Sequence, residues 1–192
     1  IVFLLGICNR FSFYPIPMQL ENPVYISTLG NINWFCGYMS VIAPIGIGLL
    51  VFPEKEDDKG FWKKALLILY TWITFTTCFC QGSESVFLWN GFLFLVLLIL
   101  SLKSVNSFRR WLLLLAIWGV SGQTARALRL LLPGRYNYNT ELLIDTELTL
   151  FIAVLAIVLN IVLKIGFPEY AKIPKSLRKG LCIVFIGMPF VV

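Results

Sequence analysis

Apolar stretches of about 20 residues recur along this chain, the length a helix needs to cross the hydrocarbon of a bilayer. They run from Trp34 to Phe52, Phe61 to Gln81, Ser85 to Leu102, Phe108 to Leu132 and Leu148 to Gly166, broken by Pro53 with PEKEDDKG, by SLKSVNS and by PGRYNYN. Of the 192 residues, 58% are hydrophobic and 14% charged, where a soluble domain has about 45–50% apolar residues. The excess calls for lipid as a second apolar solvent. The pattern predicts an all-α polytopic transmembrane bundle of five complete spans plus two partial terminal spans, IVFLLGIC and GLCIVFIGMPFVV. Residues 1–192 form a single transmembrane domain, expected to be a fragment of a longer protein. The first run has neither the basic flank nor the small-residue cleavage site of a signal peptide, so a cut span is the expectation.

The net charge of +6 matters less than where the charges fall. Alternating loops place Lys55, Lys59, Lys63, Lys64, Lys103, Arg109, Arg110, Lys164, Lys172, Lys175, Arg178 and Lys179 on one face, twelve of the 16 basic residues. By the positive-inside rule that face is cytoplasmic, so residues 53–64, 103–110 and 167–179 are expected in the cytoplasm of a multi-pass cell-membrane protein. The other face carries Arg10, Arg126, Arg129 and Arg135 with Glu21, Glu84, Glu141, Asp145 and Glu147. The partners expected are the bilayer and its lipids, with no nucleic acid. The basic run KIPKSLRKG suits anionic headgroups.

Several chemistries lack their residues. There is no His, hence no imidazole acid or base, and the five cysteines form no CxxC pair, so no metal and no cofactor are expected. Walker A, GxGxxG, HExxH and GxSxG are absent. Cys78 and Cys80 fall on different helix faces and read as small apolar side chains. Any proton transfer would fall to a carboxylate, with Glu84 the best placed.

Three segments of the expected outer face stand out. In STLGNINWFCGY, residues 27–38, Gly30, Asn31 and Asn33 precede a span holding Pro44, Gly46 and Gly48; they read as a site segment or as the turn and N-cap of that helix. In QGSES, residues 81–85, Ser83 suits a cap and Glu84 meets the positive end of the helix dipole, while Asn90 lies further along among aromatic residues. In SGQTARALRLLLPGRYN, Arg126 and Arg129 share one helix face. Trp111 to Ala125 covers only about 22 Å of a core roughly 30 Å thick, so both arginines are expected in or near the outer leaflet. Paired guanidinium groups suit a lipid diphosphate; alternatively they snorkel to headgroups or pair with Glu84, Glu141 or Asp145.

STLGNINWFCGY followed by an apolar span, then GSESVFL opening another, resembles the O-antigen ligase and polymerase group of polytopic membrane proteins, Gram-positive type, over roughly residues 25–165. The resemblance implies a membrane glycosyltransferase that moves a glycan from an undecaprenyl-diphosphate carrier to an acceptor at the outer face of the cytoplasmic membrane, by ligation or polymerisation, without metal or nucleotide. It implies arginines that hold the diphosphate, here Arg126 and Arg129, and a sugar side lined by Gly30, Asn31, Asn33 and Glu84. Two features depart from the family: its external-loop His has no counterpart, and its Ser-Arg-Ser or Ser-Arg-Gly triplet is Ser83, Glu84 and Ser85. Glu84 therefore cannot take over that arginine's role. No catalytic residue is assigned, and the family's loop is expected either beyond Val192 or to be absent from this branch. A transporter or flippase is the alternative, and a non-enzymatic scaffold a third.

Overall fold

The computed structural model describes residues 1–16, 27–53, 60–132, 147–168 and 171–174. Among them the chain is all-helical: α1 (Val2–Arg10), a 3-10 turn at Ser27–Leu29, α2 (Ile32–Val51), α3 (Gly60–Gln81), α4 (Glu84–Ser101), α5 (Val105–Leu131) and α6 (Leu148–Gly166), with no strand. Glu21, Lys55, Lys59, Arg135, Glu141, Asp145, Lys175, Arg178, Lys179 and the apolar run after Lys179 lie outside the described residues.

Three helices, α2, α4 and α6, are long and apolar enough to cross a membrane. The expectation of five complete spans is met only to that extent. α3 has 22 residues and α5 has 27, about 33 and 40 Å at 1.5 Å per residue, so length is sufficient. Their polarity sets them apart, and the structure shows its use: these helices carry the hydroxyls and amides that stitch the bundle together. From Thr74 to Gln81 every residue of α3 is buried. Thr71, Thr74 and Thr77 return their hydroxyls to the carbonyls of Leu67, Tyr70 and Ile73 at 2.7, 2.8 and 2.7 Å, which lets polar side chains enter an apolar interior without an orphaned donor. Between α3 and α5, the Trp72 indole donates to Thr124 Oγ1 at 3.0 Å and the Ser121 hydroxyl to the Trp72 carbonyl at 3.2 Å.

Helix ends follow local chemistry. Asn31 caps α2, its Oδ1 accepting from the Asn33 backbone N–H at 2.8 Å, after Gly30 turns the chain at φ 79°, a conformation glycine adopts without steric cost. α5 begins three residues before the expected Phe108 because Ser104 accepts from the Ser107 backbone N–H. Ser83 occupies the cap position of α4, yet its side chain makes no capping bond.

Pro44 lies inside α2. Proline has no N–H, so the Ser40 carbonyl loses its helical donor. The Trp89 indole of α4 supplies one at 3.1 Å. On another side of α2, the Tyr70 hydroxyl donates to the Ile42 carbonyl at 2.9 Å. Its ring lies so close to Gly46 that a Cβ there would come within 2.3 Å of it. The irregular middle of α2 is therefore held from α3 and α4 together.

α6 packs mainly on α5. It buries Thr149, Ala153 and Ala156 against Gly119 and Gly122, where an added Cβ would meet the Thr149 carbonyl at 2.4 Å and the Thr149 side chain at 2.8 Å. Small residues on both helices allow this approach, and Gln123 Nε2 donates to Thr149 Oγ1 at 2.7 Å. The rest of α6 presents Phe151, Val154, Val158, Ile161 and Ile165 outward, as lipid contact requires. Trp34 near the start of α2 and Trp62 near the start of α3 are 73% and 75% exposed, on helix ends that face opposite ways, as interfacial aromatic residues do.

Gly119→Ala should lower stability by about 1–3 kcal/mol through overpacking, seen as an earlier unfolding transition in detergent, whereas Val158→Ala on the exposed face should change little. Trp89→Phe should destabilise by about 1–3 kcal/mol by orphaning the Ser40 carbonyl. In the Pro44→Ala background residue 44 regains its N–H, so the same change should do much less; equal losses in both backgrounds would exclude this account.

Candidate functional site

The ends of α1, α3 and α5 and the starts of α2 and α4 meet at one end of the bundle. Phe11, Phe79, Cys80 and Ala125 form a small apolar cluster there, flanked by Phe87, Leu128 and Leu132. The Gln81 side-chain amide donates to the Ile32 carbonyl at 3.2 Å. The site residues Gly30, Asn31, Asn33, Glu84, Arg126 and Arg129 fall at this end.

Arg126 and Arg129 are half-buried in the last turns of α5. Arg126 Nη1 donates to Glu147 Oε1 at 2.5 Å, the two side chains being 30% and 65% exposed. Its carboxylate partner is thus Glu147, at the entry to α6, and not Glu84. Arg129 is also engaged in an interaction. Glu84 is exposed in the first turn of α4, where its charge complements the helix dipole. Asn31 and Asn33 are exposed and joined in the N-cap, so the capping role of GNIN is realised. The arginines, the GNIN turn and Glu84 share one end of the bundle without forming one hydrogen-bonded cluster.

Beneath this surface lies a polar layer that the sequence pattern did not single out. Arg10 is 1% exposed and donates through Nη2 to the Gln81 backbone carbonyl. Gln81 ends α3, where the last carbonyls lack helical donors and the dipole is negative, so a guanidinium fits there. Next to it, Asn9 Oδ1 accepts from the Ser27 backbone N–H at 2.7 Å, while the Ser27 hydroxyl donates to the Val2 carbonyl at 2.9 Å. Ser27 holds φ 58°, a left-handed conformation unusual outside glycine, kept in place by these two bonds. The GNIN segment is in this way fastened to α1. α1 has only 9 residues, too few for a helical repeat to single out Arg10; its charge beside an apolar run is the one mark it leaves in the sequence.

Deeper still, Asn90 on α4 is 3% exposed with neither amide atom hydrogen-bonded, and Gln81 Oε1 and Thr76 Oγ1 are likewise buried and unsatisfied. Asn90 lies beside Cys78 on α3. Glu84 is exposed, so no continuous polar strip runs from it to Asn90. Cys78 belongs to the main core and Cys80 to the smaller cluster, on separate faces as expected. No group of three or more metal-ligating side chains occurs among the described residues.

Comparison with protein-family models, with curated proteins and with solved structures finds no match to this chain.

Arg10→Ala should lower stability by about 1.5–3 kcal/mol, the range for a hydrogen bond to a charged group, read from unfolding in detergent. Arg10→Lys should recover only part of it, because a point charge lacks the guanidinium fork.

Proposed function

We propose that the chain is the membrane domain of an O-antigen ligase-like glycosyltransferase that handles undecaprenyl-diphosphate-linked glycans at the outer face of the cytoplasmic membrane. The reading takes α3 and α5 as spans alongside α2, α4 and α6, and places residues 53–64, 103–110 and 167–179 in the cytoplasm. The Arg126–Glu147 contact carries it: a guanidinium at the end of a long helix, one turn from a second arginine, held by a largely exposed carboxylate. An exposed ion pair is worth about 0–1 kcal/mol, so a diphosphate with several anionic oxygens can displace Glu147 and engage both arginines.

In the transfer, an acceptor hydroxyl attacks the anomeric carbon of the carrier-linked sugar. The bond from that carbon to the diphosphate oxygen breaks, and the electron pair leaves with the lipid diphosphate. Arg126 and Arg129 offset the charge that develops on this leaving group. Gly30, Asn31, Asn33 and Glu84 border the sugar side. The base that takes the hydroxyl proton is assigned to no described residue.

A transporter or flippase is the second reading, favoured by Asn90, whose amide is buried in the bundle without a hydrogen bond, and by the proline-interrupted α2 opposite Trp89. Polar groups within interrupted spans also build translocation sites.

Arg126→Ala and Arg129→Ala should each abolish glycan transfer from a lipid-linked oligosaccharide while leaving membrane insertion intact. Glu147→Gln should tighten binding of undecaprenyl diphosphate. Undiminished transfer by the double arginine variant would remove the mechanism. Loss of lipid-linked glycan flipping in proteoliposomes on Asn90→Leu, with transfer unaffected by the arginines, would favour the second reading.

A further inference from the structure

Asn90 lies less than two turns into α4, about 9 Å along the helix from Glu84 at 1.5 Å per residue. It is 3% exposed, and no protein group hydrogen-bonds either its Oδ1 or its Nδ2. An amide buried in that way costs the fold more than a typical hydrogen bond contributes. The donors around it are committed elsewhere. The indole of Trp89, its chain neighbour, goes to the Ser40 carbonyl, the Thr74 hydroxyl to the Tyr70 carbonyl and the Gln81 amide to the Ile32 carbonyl. The Cys78 thiol lies against Asn90, but a thiol is a weak donor and a weak acceptor.

The amide presents a donor and an acceptor side by side, and this decides what it can hold. A cation would suit Oδ1 and confront the amide hydrogens; an anion would do the reverse. A small neutral molecule that both donates and accepts suits both atoms, and water is the smallest. A line of polar side chains leads there from the surface. Ser83 is partly exposed at the cap position of α4, and the Cys36 thiol of α2 lies beside Ser83 and Gln81. Gln81 is 1% exposed, and its Oε1 accepts from no protein donor. Cys78 stands three positions before Gln81 on α3, on the same helix face, and borders Asn90. We propose that water enters the junction of α2, α3 and α4 past Ser83 and Gln81 and is bound at Asn90, donating to Oδ1 and accepting from Nδ2, with the Cys78 thiol at its side. Interior waters satisfy buried polar groups in this manner. The site rests on neither reading of the chain's function.

The test is infrared spectroscopy of the protein in phosphatidylcholine nanodiscs, following the Cys78 S–H stretch after transfer to deuterium oxide. The band is assigned by its loss in Cys78→Ala. A thiol beside exchanging water converts to S–D long before the helix around it opens. In wild type the band should shift while the α3 backbone amides near Cys78, read by hydrogen-exchange mass spectrometry on the same sample, remain protonated. Asn90→Leu, close in volume but unable to hold water, should slow the shift about tenfold, the factor that one interior hydrogen bond corresponds to. Its unfolding midpoint in detergent should stay level or fall, because a solvated amide does not burden the fold. Asn90→Ser still donates and accepts and should keep the fast exchange. A Cys78 band that exchanges no faster than the α3 amides would overturn the proposal, and this wild-type comparison decides the matter even if Asn90→Leu fails to insert. Equal rates in wild type and Asn90→Leu would also overturn it, as would a raised midpoint in Asn90→Leu, the mark of a dry, unpaired amide.

Discussion

A backbone carbonyl that loses its donor inside an apolar bundle has no water to turn to, and Pro44 creates such a carbonyl at Ser40. The Trp89 indole answers it. This one bond fixes how α4 meets α2, and the Tyr70 hydroxyl on Ile42 fixes α3 against the same stretch. The three helices are positioned by hydrogen bonding at a defect as much as by packing. Phe75 and Phe94 stack between α3 and α4, with ring centroids 5.6 Å apart, and supply apolar area without setting register so narrowly. Dispersion and area burial are tolerant of small shifts; a donor aimed at one carbonyl is not.

The same rule explains the division of labour among the helices. α2, α4 and α6 are mostly apolar with a few polar positions such as Asn90 and Asn160, while α3 and α5 carry more threonine, serine, glutamine and arginine between them. Buried hydroxyls in α3 are satisfied by their own helix, and the indole and amide groups of Trp72 and Gln123 reach hydroxyls on neighbouring helices. The polar residues left over concentrate at the two ends. One end has mixed charge, with Arg10, Arg126, Glu84 and Glu147; the other is bordered by Lys64, Arg109 and Arg110.

Much of the helix layout was legible because long apolar runs leave few alternatives. The start of α6 at Leu148 falls where the run begins, and Gly30 with Asn31 announced the turn and cap before α2. What the runs could not show was partnership across helices. Arg126 and Arg129 are visible as two cations on one face, but the pairing of Arg126 with Glu147 and not Glu84 depends on how α6 enters beside α5. That entry is set by the close seam at Gly119 and Gly122, and glycines of that kind look alike in a sequence whether they face a helix or lipid. The role of Arg10, visible in the sequence only as one more outer-face cation, is hidden for a related reason: its partner is the end of α3, 71 positions away. Pro44 is visible in the sequence as a proline within a span, whereas its remedy on α4 needs three dimensions.

The glycine seam bears on how this chain can change over time. On one side of α6 an extra methyl meets a carbonyl, so the positions in contact have almost no alphabet open to them. On the other side any aliphatic residue serves the lipid equally well, and drift there is nearly free. A lineage would therefore blur the sequence of α6 rapidly while leaving a faint ladder of small residues, making kinship between distant copies easier to recognise from that ladder than from overall identity.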